Sequence, residues 1–245
     1  MDYNWNWAIL WQPSPEGHGT YLATLLFGLG WTVVTALGAW LLAFIFGVTV
    51  GVMRTLPAGW AQRIGAGYVE LFRNIPLLVQ LFLWFFVLPE LLPQSAGTWL
   101  KQLPQGSLYT AMIGIGFYIS ARVAEQVRSG IGALPRGQRL AGQALGLSLP
   151  QTYRYVLLPM ALRIVLPPLT SEFLSTVKNT SVALTIGLVE LTSRARAMQE
   201  FSFQVFEAFS TATLLYLALN FLIVAAMRQL ERRVAVPGFV AQTAR

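Results

Sequence analysis

Apolar residues run through this chain in long blocks, and the polar positions between them come in short, mostly basic groups. A helix that crosses a membrane needs about 20 apolar residues. Five blocks approach that length: roughly 21–53, 75–92, 107–121, 167–188 and 209–227. The first is long enough for a tilted helix that overshoots a bilayer, and too short for two crossings and a turn. The third is short and is expected to continue towards Val127, with Arg122 and Glu125 near its end. The pattern predicts an all-α, polytopic membrane protein with about five transmembrane helices.

Between the third and fourth blocks lies GQRLAGQALGLSLPQTYRYVLLPMALRIVLPPL (137–169), too broken for a span and too apolar for a linker. Its punctuation reads as two short helices. Residues 138–145 are expected to be helical, with Gly146 placed to end them as a C′ glycine. Ser148-Leu149-Pro150-Gln151 has the form of a capping box, with proline in the first turn where its missing N–H is not needed. Residues 151–158 follow, and Pro159 is expected to interrupt the helix.

Charge then orients the blocks. No Lys or Arg precedes the first. Arg54, Arg63 and Arg73 follow it, and Lys101 stands alone after the second. The third loop holds Arg122, Arg128, Arg136, Arg139, Arg154 and Arg163; the fourth holds Arg194 and Arg196; the tail holds Arg228, Arg232, Arg233 and Arg245. Alternate segments therefore carry 13 basic residues against 3, with Lys178 inside a span. The positive-inside rule puts the N-terminus outside and the C-terminus in the cytoplasm. Residues 1–20 are expected to be a periplasmic segment and 21–228 the transmembrane domain. A cytoplasmic loop falls at about 129–166, and 229–245 form a cytoplasmic tail. The N-terminal segment lacks the basic region and cleavage site of a signal peptide. Its Trp5, Trp7 and Trp11 suit the membrane interface.

Composition removes several classes of function. With 55% hydrophobic and 11% charged residues and a mean hydropathy of +0.57, the bulk of the chain is expected to face lipid. The net charge of +7 punctuates apolar runs, so no nucleic acid partner is expected. Without cysteine there is no disulfide framework or thiolate metal site, and the single histidine, His18, forms no metal cluster. No Ser/His/Asp arrangement points to an intramembrane hydrolase. No GxxxxGK[ST] phosphate loop is present, so the chain is not expected to hydrolyse ATP or to need a cofactor of its own.

Four stretches in register resemble the permease subunits of bacterial ABC importers for polar amino acids, the histidine/glutamine/glutamate family. The cytoplasmic stretch resembles their EAA loop through Gly137, Gln138, Ala141, Ala144, Leu145, Gly146, Leu147, Ser148, Leu158, Pro159, Leu166 and Pro167. Glu70 to Gln80 resembles the R-x-x-P-x-L-x-Q segment, and Arg128-Ser129-Gly130-Ile131 and Lys178-Asn179-Thr180-Ser181 resemble two further signatures. The glutamate that names the EAA loop falls at Leu140 and its second alanine at Gly142, a departure that resembles the glutamate/aspartate branch. The resemblance implies a multi-pass permease of the bacterial inner membrane. Its partners would be an ABC ATPase dimer that binds the ATP, a second permease subunit (homologous or identical) and a periplasmic amino acid-binding protein. Gly137, Gln138, Ala141, Ala144, Leu145, Gly146, Ser148 and Pro159 would belong to the loop that couples to the ATPase.

Ionisable residues inside spans are costly, about 2.5–3.5 kcal/mol at the centre on insertion scales. At 100° per residue Glu172, Ser175, Thr176, Asn179 and Ala183 share one face of the fourth block, and Lys178 sits beside it. With Arg73, Asn74 and Gln80 from the second block, and Thr180 and Ser181 from the signature, they are candidates for the substrate path. The alternative is that Glu172 and Lys178 only pair and orient helices. Arg122 reads as a positive-inside residue, and Arg73 admits the same reading. The positive balance of the candidate set favours an acidic or neutral polar solute over a cationic one. An ion-coupled secondary transporter or channel is the competing function; it would call for an internal repeat or more intramembrane ionisable groups. Gly28, Gly30, Gly38, Gly47 and Gly51 are expected to permit close helix packing.

Overall fold

A computed structural model describes residues 3–234. No strand occurs among them, only an isolated bridge between Pro13 and Thr20. A 3-10 turn at Trp7–Trp11 precedes α1 (Tyr21–Met53), and α2 (Gly59–Asn74) follows. Helix α2 stops because Pro76 drives the preceding residue out of the helical region: Ile75 is extended at φ −92°, ψ 127°. Next come α3 (Leu77–Phe82), a π turn at Leu83–Val87, α4 (Leu88–Leu91) and α5 (Gln94–Lys101). Helices α6 (Gly106–Gly132), α7 (Arg136–Ala144) and α8 (Leu149–Thr152) lead to a second π turn at Tyr153–Leu157. Then follow α9 (Leu158–Asn179), a 3-10 segment Thr180–Ile186, α10 (Leu191–Ser202) and α11 (Val205–Val234).

Three of these runs are long and apolar enough to cross a membrane: Tyr21–Met53, Leu149–Ile186 and Val205–Val234. The pair Gly59–Asn74 and Leu77–Leu91, bent by 100°, makes a fourth if it is one broken span. The third expected block lies on α6, where Arg122 interrupts the apolar stretch, and is not in that set. The fourth block requires a correction, since the helical run begins at Leu149 rather than near 167 and passes through Pro159, Pro167 and Pro168. Pro159 does not interrupt it. A proline lacks an N–H and crowds the carbonyl four residues back. The π turn just ahead, closed by the Leu158 N–H on the Tyr153 carbonyl, lets the chain pass. The same device precedes Pro89, where the Leu88 N–H reaches the Leu83 carbonyl. Of the expected tail, residues up to Val234 continue α11, and the remainder lies outside the described residues.

The chain divides into two compact units, each built from three stretches. One comprises residues up to Leu41, Pro76–Gly116 and Leu174–Ile223. Its core joins Ile9, Tyr21 and Leu25 to Leu191, Met198 and Ala212. The other comprises Leu42–Ile75, Phe117–Phe173 and the chain from Val224. Its core is small, with Val50, Val69, Ala121 and Ala124 packed beside Tyr68 and Phe72. Two glycines of α1 let α6 come close there. A Cβ at Gly47 would sit 2.5 Å from Val123, and one at Gly51 2.8 Å from the Ala124 carbonyl oxygen. Gly28 and Gly38 make similar close approaches in the first unit, whereas Gly30 faces open space and takes no part in packing.

Candidate functional site

Polar groups converge most densely in the second unit. Arg122, Glu125 and Gln126 lie three and four residues apart on α6, so they share one face. Arg73 stands in the last turn of α2, where a cation suits the negative end of the helix. Glu172 comes from α9. These five residues line a cavity of about 400 Å3, within the roughly 300–1,000 Å3 range of small-molecule sites.

The charges in it are unequally matched. Glu125 is held by both Arg54 and Arg128, the latter at 3.0 Å. Its charge is therefore compensated within its own surroundings. Glu172, mostly buried, has Arg122 among its partners at 3.8 Å, a loose ion pair. The Arg122 guanidinium also donates to the Tyr118 hydroxyl oxygen at 2.9 Å and lies 5.1 Å from that ring's centre. Arg73 enters no ion pair among the described residues. Counting the Arg54 and Arg128 partners of Glu125, four guanidiniums stand in and around the cavity against two carboxylates, so its surroundings carry surplus positive charge. Such a site can receive an anion without burying an unpaired charge.

The structure distributes the sequence candidates between the two units. Arg73 and Glu172 line this cavity together, and Asn74 is exposed beside Arg73 at the end of α2. Gln80, Lys178, Asn179, Thr180 and Ser181 belong to the first unit. There Gln80 is buried on α3, which packs against the 3-10 segment Thr180–Ile186. The Thr180 hydroxyl donates to the Val177 carbonyl at 2.8 Å, and the Ser181 hydroxyl to the Lys178 carbonyl at 2.7 Å. Both hydroxyls thus serve the tightening of the helix from α to 3-10. Asn179 is half-buried, and Lys178 is exposed with no ion pair among the described residues. The sequence reading does not include Glu125 and Gln126 among the candidates and reads Arg122 as a positive-inside residue; the structure places all three on this cavity. The signal available was their common face on α6, next to a block already known to carry a glutamate.

The first unit holds a larger recess of about 850 Å3, lined by Trp84, Phe85, Phe86 and Trp99, with Glu90 and Lys101 paired at 2.6 Å. Its charges cancel, and its walls are aromatic. The chemistry of a polar solute is better met by the smaller cavity.

The stretch 137–158 is a packed element of the second unit. Gly146 has φ +76°. The Leu147 N–H reaches the Gly142 carbonyl at 3.1 Å and the Gly146 N–H the Gln143 carbonyl at 3.0 Å, a Schellman ending of α7. Ser148 then opens α8, its backbone N–H donating to the Gln151 side chain at 2.8 Å. Tyr153 is buried, and its hydroxyl donates to the Thr55 carbonyl at 2.8 Å, tying the element to the end of α1. Ala141, Ala144 and Pro159 lie on its helices, Gly137 and Gln138 open it, and Leu140 and Leu145 are 63% and 81% exposed.

Comparison with known proteins places this architecture. The chain is 44% identical over 241 residues to the glutamate/aspartate import permease protein GltJ of Escherichia coli (strain K12), covering 97% of this chain and 98% of that one. It is 34% identical over 191 residues to a probable glutamine ABC transporter permease protein, GlnM, of Bacillus subtilis (strain 168), covering 78% and 84%. Among solved structures, an amino acid ABC transporter crystallised with histidines matches with a TM-score of 0.73 at 27% identity, over 87% of this chain and 95% of that one. The family model for binding-protein-dependent transport systems matches residues 43–236. A helical chain of membrane-crossing runs, matched by sequence and by fold along nearly its whole length, therefore belongs to the inner membrane components of binding-protein-dependent transport systems.

Proposed function

We propose that this chain is the permease subunit of an ABC importer for acidic amino acids, glutamate and aspartate above all. The observation that carries the reading is the near full-length 44% identity to an import permease for that pair. The four guanidiniums in and around the cavity of the second unit, against two carboxylates, agree with it, because an acidic solute brings one more negative charge than positive.

In this reading the permease forms the path and a separate ATPase supplies the energy. The segments that carry 13 of the basic residues lie on the cytoplasmic side, with the N-terminus outside and the C-terminus inside. The element 137–158 seats on the ATPase through exposed Leu140 and Leu145. Closure of the ATPase dimer moves the element as a body, and the Tyr153–Thr55 bond passes that motion to α1. A periplasmic binding protein delivers the solute, and a second permease subunit, identical or homologous, completes the path. Arg73, Asn74, Gln80, Glu172, Lys178, Asn179, Thr180 and Ser181 remain the substrate-path residues of this proposal.

The test is uptake of labelled glutamate into proteoliposomes carrying the assembled complex, with aspartate, glutamine, arginine and histidine as competitors. ATP-dependent uptake competed best by aspartate supports the reading. Preference for arginine or histidine, or uptake driven by an ion gradient without the ATPase, overturns it.

A further inference from the structure

The cavity of the second unit assigns a role to Arg122 that neither its position next to a membrane span nor the family signatures carry. Three observations bear on it. The Arg122 guanidinium faces Glu172 at 3.8 Å, too long for the close N⁺–H···O⁻ contact such pairs prefer. It is 43% exposed although its partner is only 14% exposed, so a solute in the cavity can reach the arginine without first displacing protein packing. Its other anchor is neutral: the Tyr118 hydroxyl and ring fix the guanidinium without satisfying its charge. Arg73 lines the same cavity and enters no ion pair among the described residues. Glu125, the other carboxylate there, is already shared by Arg54 and Arg128.

Resting on the acidic-substrate reading above, we infer that Arg122 is the specificity-determining residue, its guanidinium passing from Glu172 to the side-chain carboxylate of the solute. Glu172 is then an internal stand-in for that carboxylate, and it keeps the arginine compensated while the cavity holds no solute. Arg73 receives the α-carboxylate. A solute with an amide in place of the side-chain carboxylate cannot displace Glu172, because it offers the guanidinium no charge in exchange. A cationic solute meets the arginine as a like charge. Discrimination thus comes from an exchange of ion pairs within the cavity, with no need for a preformed empty receptor. The exposed Lys178 of the first unit is not the receptor in this scheme.

The experiment uses the assembled complex in proteoliposomes and measures initial uptake of glutamate and of glutamine at saturating binding protein, so that differences reflect the membrane path. For Arg122→Gln the glutamate-to-glutamine ratio is expected to fall about tenfold, with glutamine uptake retained, while Arg122→Lys keeps part of the preference because the charge remains but the planar fork is lost. Glu172→Gln removes the competing carboxylate and should lower the apparent KM for glutamate several-fold, a gain that misfolding cannot imitate. An unchanged ratio in Arg122→Gln, an unchanged or raised KM in Glu172→Gln, or loss of the preference in Lys178→Gln overturns the inference. A wild-type complex that prefers glutamate while these variants fail refutes the assignment of Arg122 alone. A wild-type complex that prefers glutamine or arginine refutes the acidic-substrate reading and this inference together.

Discussion

The two units of this chain differ in net charge and in what holds their buried carboxylates. The second carries 13 of the 17 basic residues and four of the ten acidic ones, a net +9; the first carries four basic and six acidic, a net −2. In the second unit Glu125 is matched to Arg54 and to Arg128 of its own helix, and Glu172 to Arg122 from another helix. In the first unit the fully buried Glu190 and Glu207 are held by neutral donors. Glu190 accepts from the Tyr216 hydroxyl at 2.7 Å and the Ser193 N–H at 2.8 Å; Glu207 accepts from the Tyr3 hydroxyl and from the Asn6 N–H at 2.6 Å. Neutral donors lock a carboxylate in place and leave nothing for a solute. Guanidiniums in excess can exchange partners. The difference sets an arginine-lined cavity in one unit against an aromatic recess in the other.

Breaking the charge matching should give the largest effect. Arg54→Met leaves the mostly buried Glu125 with Arg128 alone, at an expected cost of about 2 kcal/mol. A clear drop in the melting temperature and yield of the assembled complex is the expected measurement. An unchanged melting temperature would mean that water, not Arg54, compensates Glu125.

A pair of glycines sharpens the contrast between a fold position and a docking position. Gly146 in the second unit and Gly187 in the first have nearly equal angles, φ +76° and +82°, and open space where a Cβ would go. Valine tolerates that region poorly, so each substitution should cost about 1–3 kcal/mol locally. Only Gly146→Val should also reduce co-purification of the ATPase and ATP-driven uptake. Equal loss of ATPase binding in both variants would remove residues 137–158 from the coupling role.

The smallest expected effect is a pH dependence confined to the first unit. Burial pushes the Glu190 carboxyl above its ordinary 4.5, although the Thr192 and Ser193 N–H groups and the Tyr216 hydroxyl pull the other way. A folded state that binds the proton more tightly than the unfolded one is most favoured below that ordinary value. Its advantage is lost as pH rises through the folded value. The melting temperature of the wild-type complex should therefore fall by a few degrees relative to Glu190→Gln as pH rises above the ordinary carboxylate range. Parallel curves for the two proteins would show that Glu190 does not titrate differently on folding.

Local chemistry was legible where its cause lies within a few residues. The ending of α7 at Gly146 and the opening of α8 at Ser148 follow from backbone groups that need partners within one turn, and both stand where the sequence puts them. The basic bias of alternate segments, with its three arginine-rich stretches, reappears as the charge of one unit. Pro159 was misjudged for a nearby reason: a proline looks like an ending until the chain is seen to widen into a π turn ahead of it, and a repeat of the device at Pro89 was equally silent. The alternative pairing of Glu172 with Lys178 came from their closeness along the chain, whereas the partner identified in the structure is Arg122, 50 positions away.

By itself, then, the sequence determined helices, their caps, the membrane character and the family, because hydrophobic blocks, capping residues and charge bias act over a turn or a segment. Which ionisable groups meet was decided only by tertiary structure. The neighbours of Arg122 in space come from α2, α6 and α9, and the close approach of α1 to α6 at Gly47 and Gly51 helps fix α6 itself. Coulomb interactions and ion-pair geometry depend on those distances through space, and no local pattern encodes them.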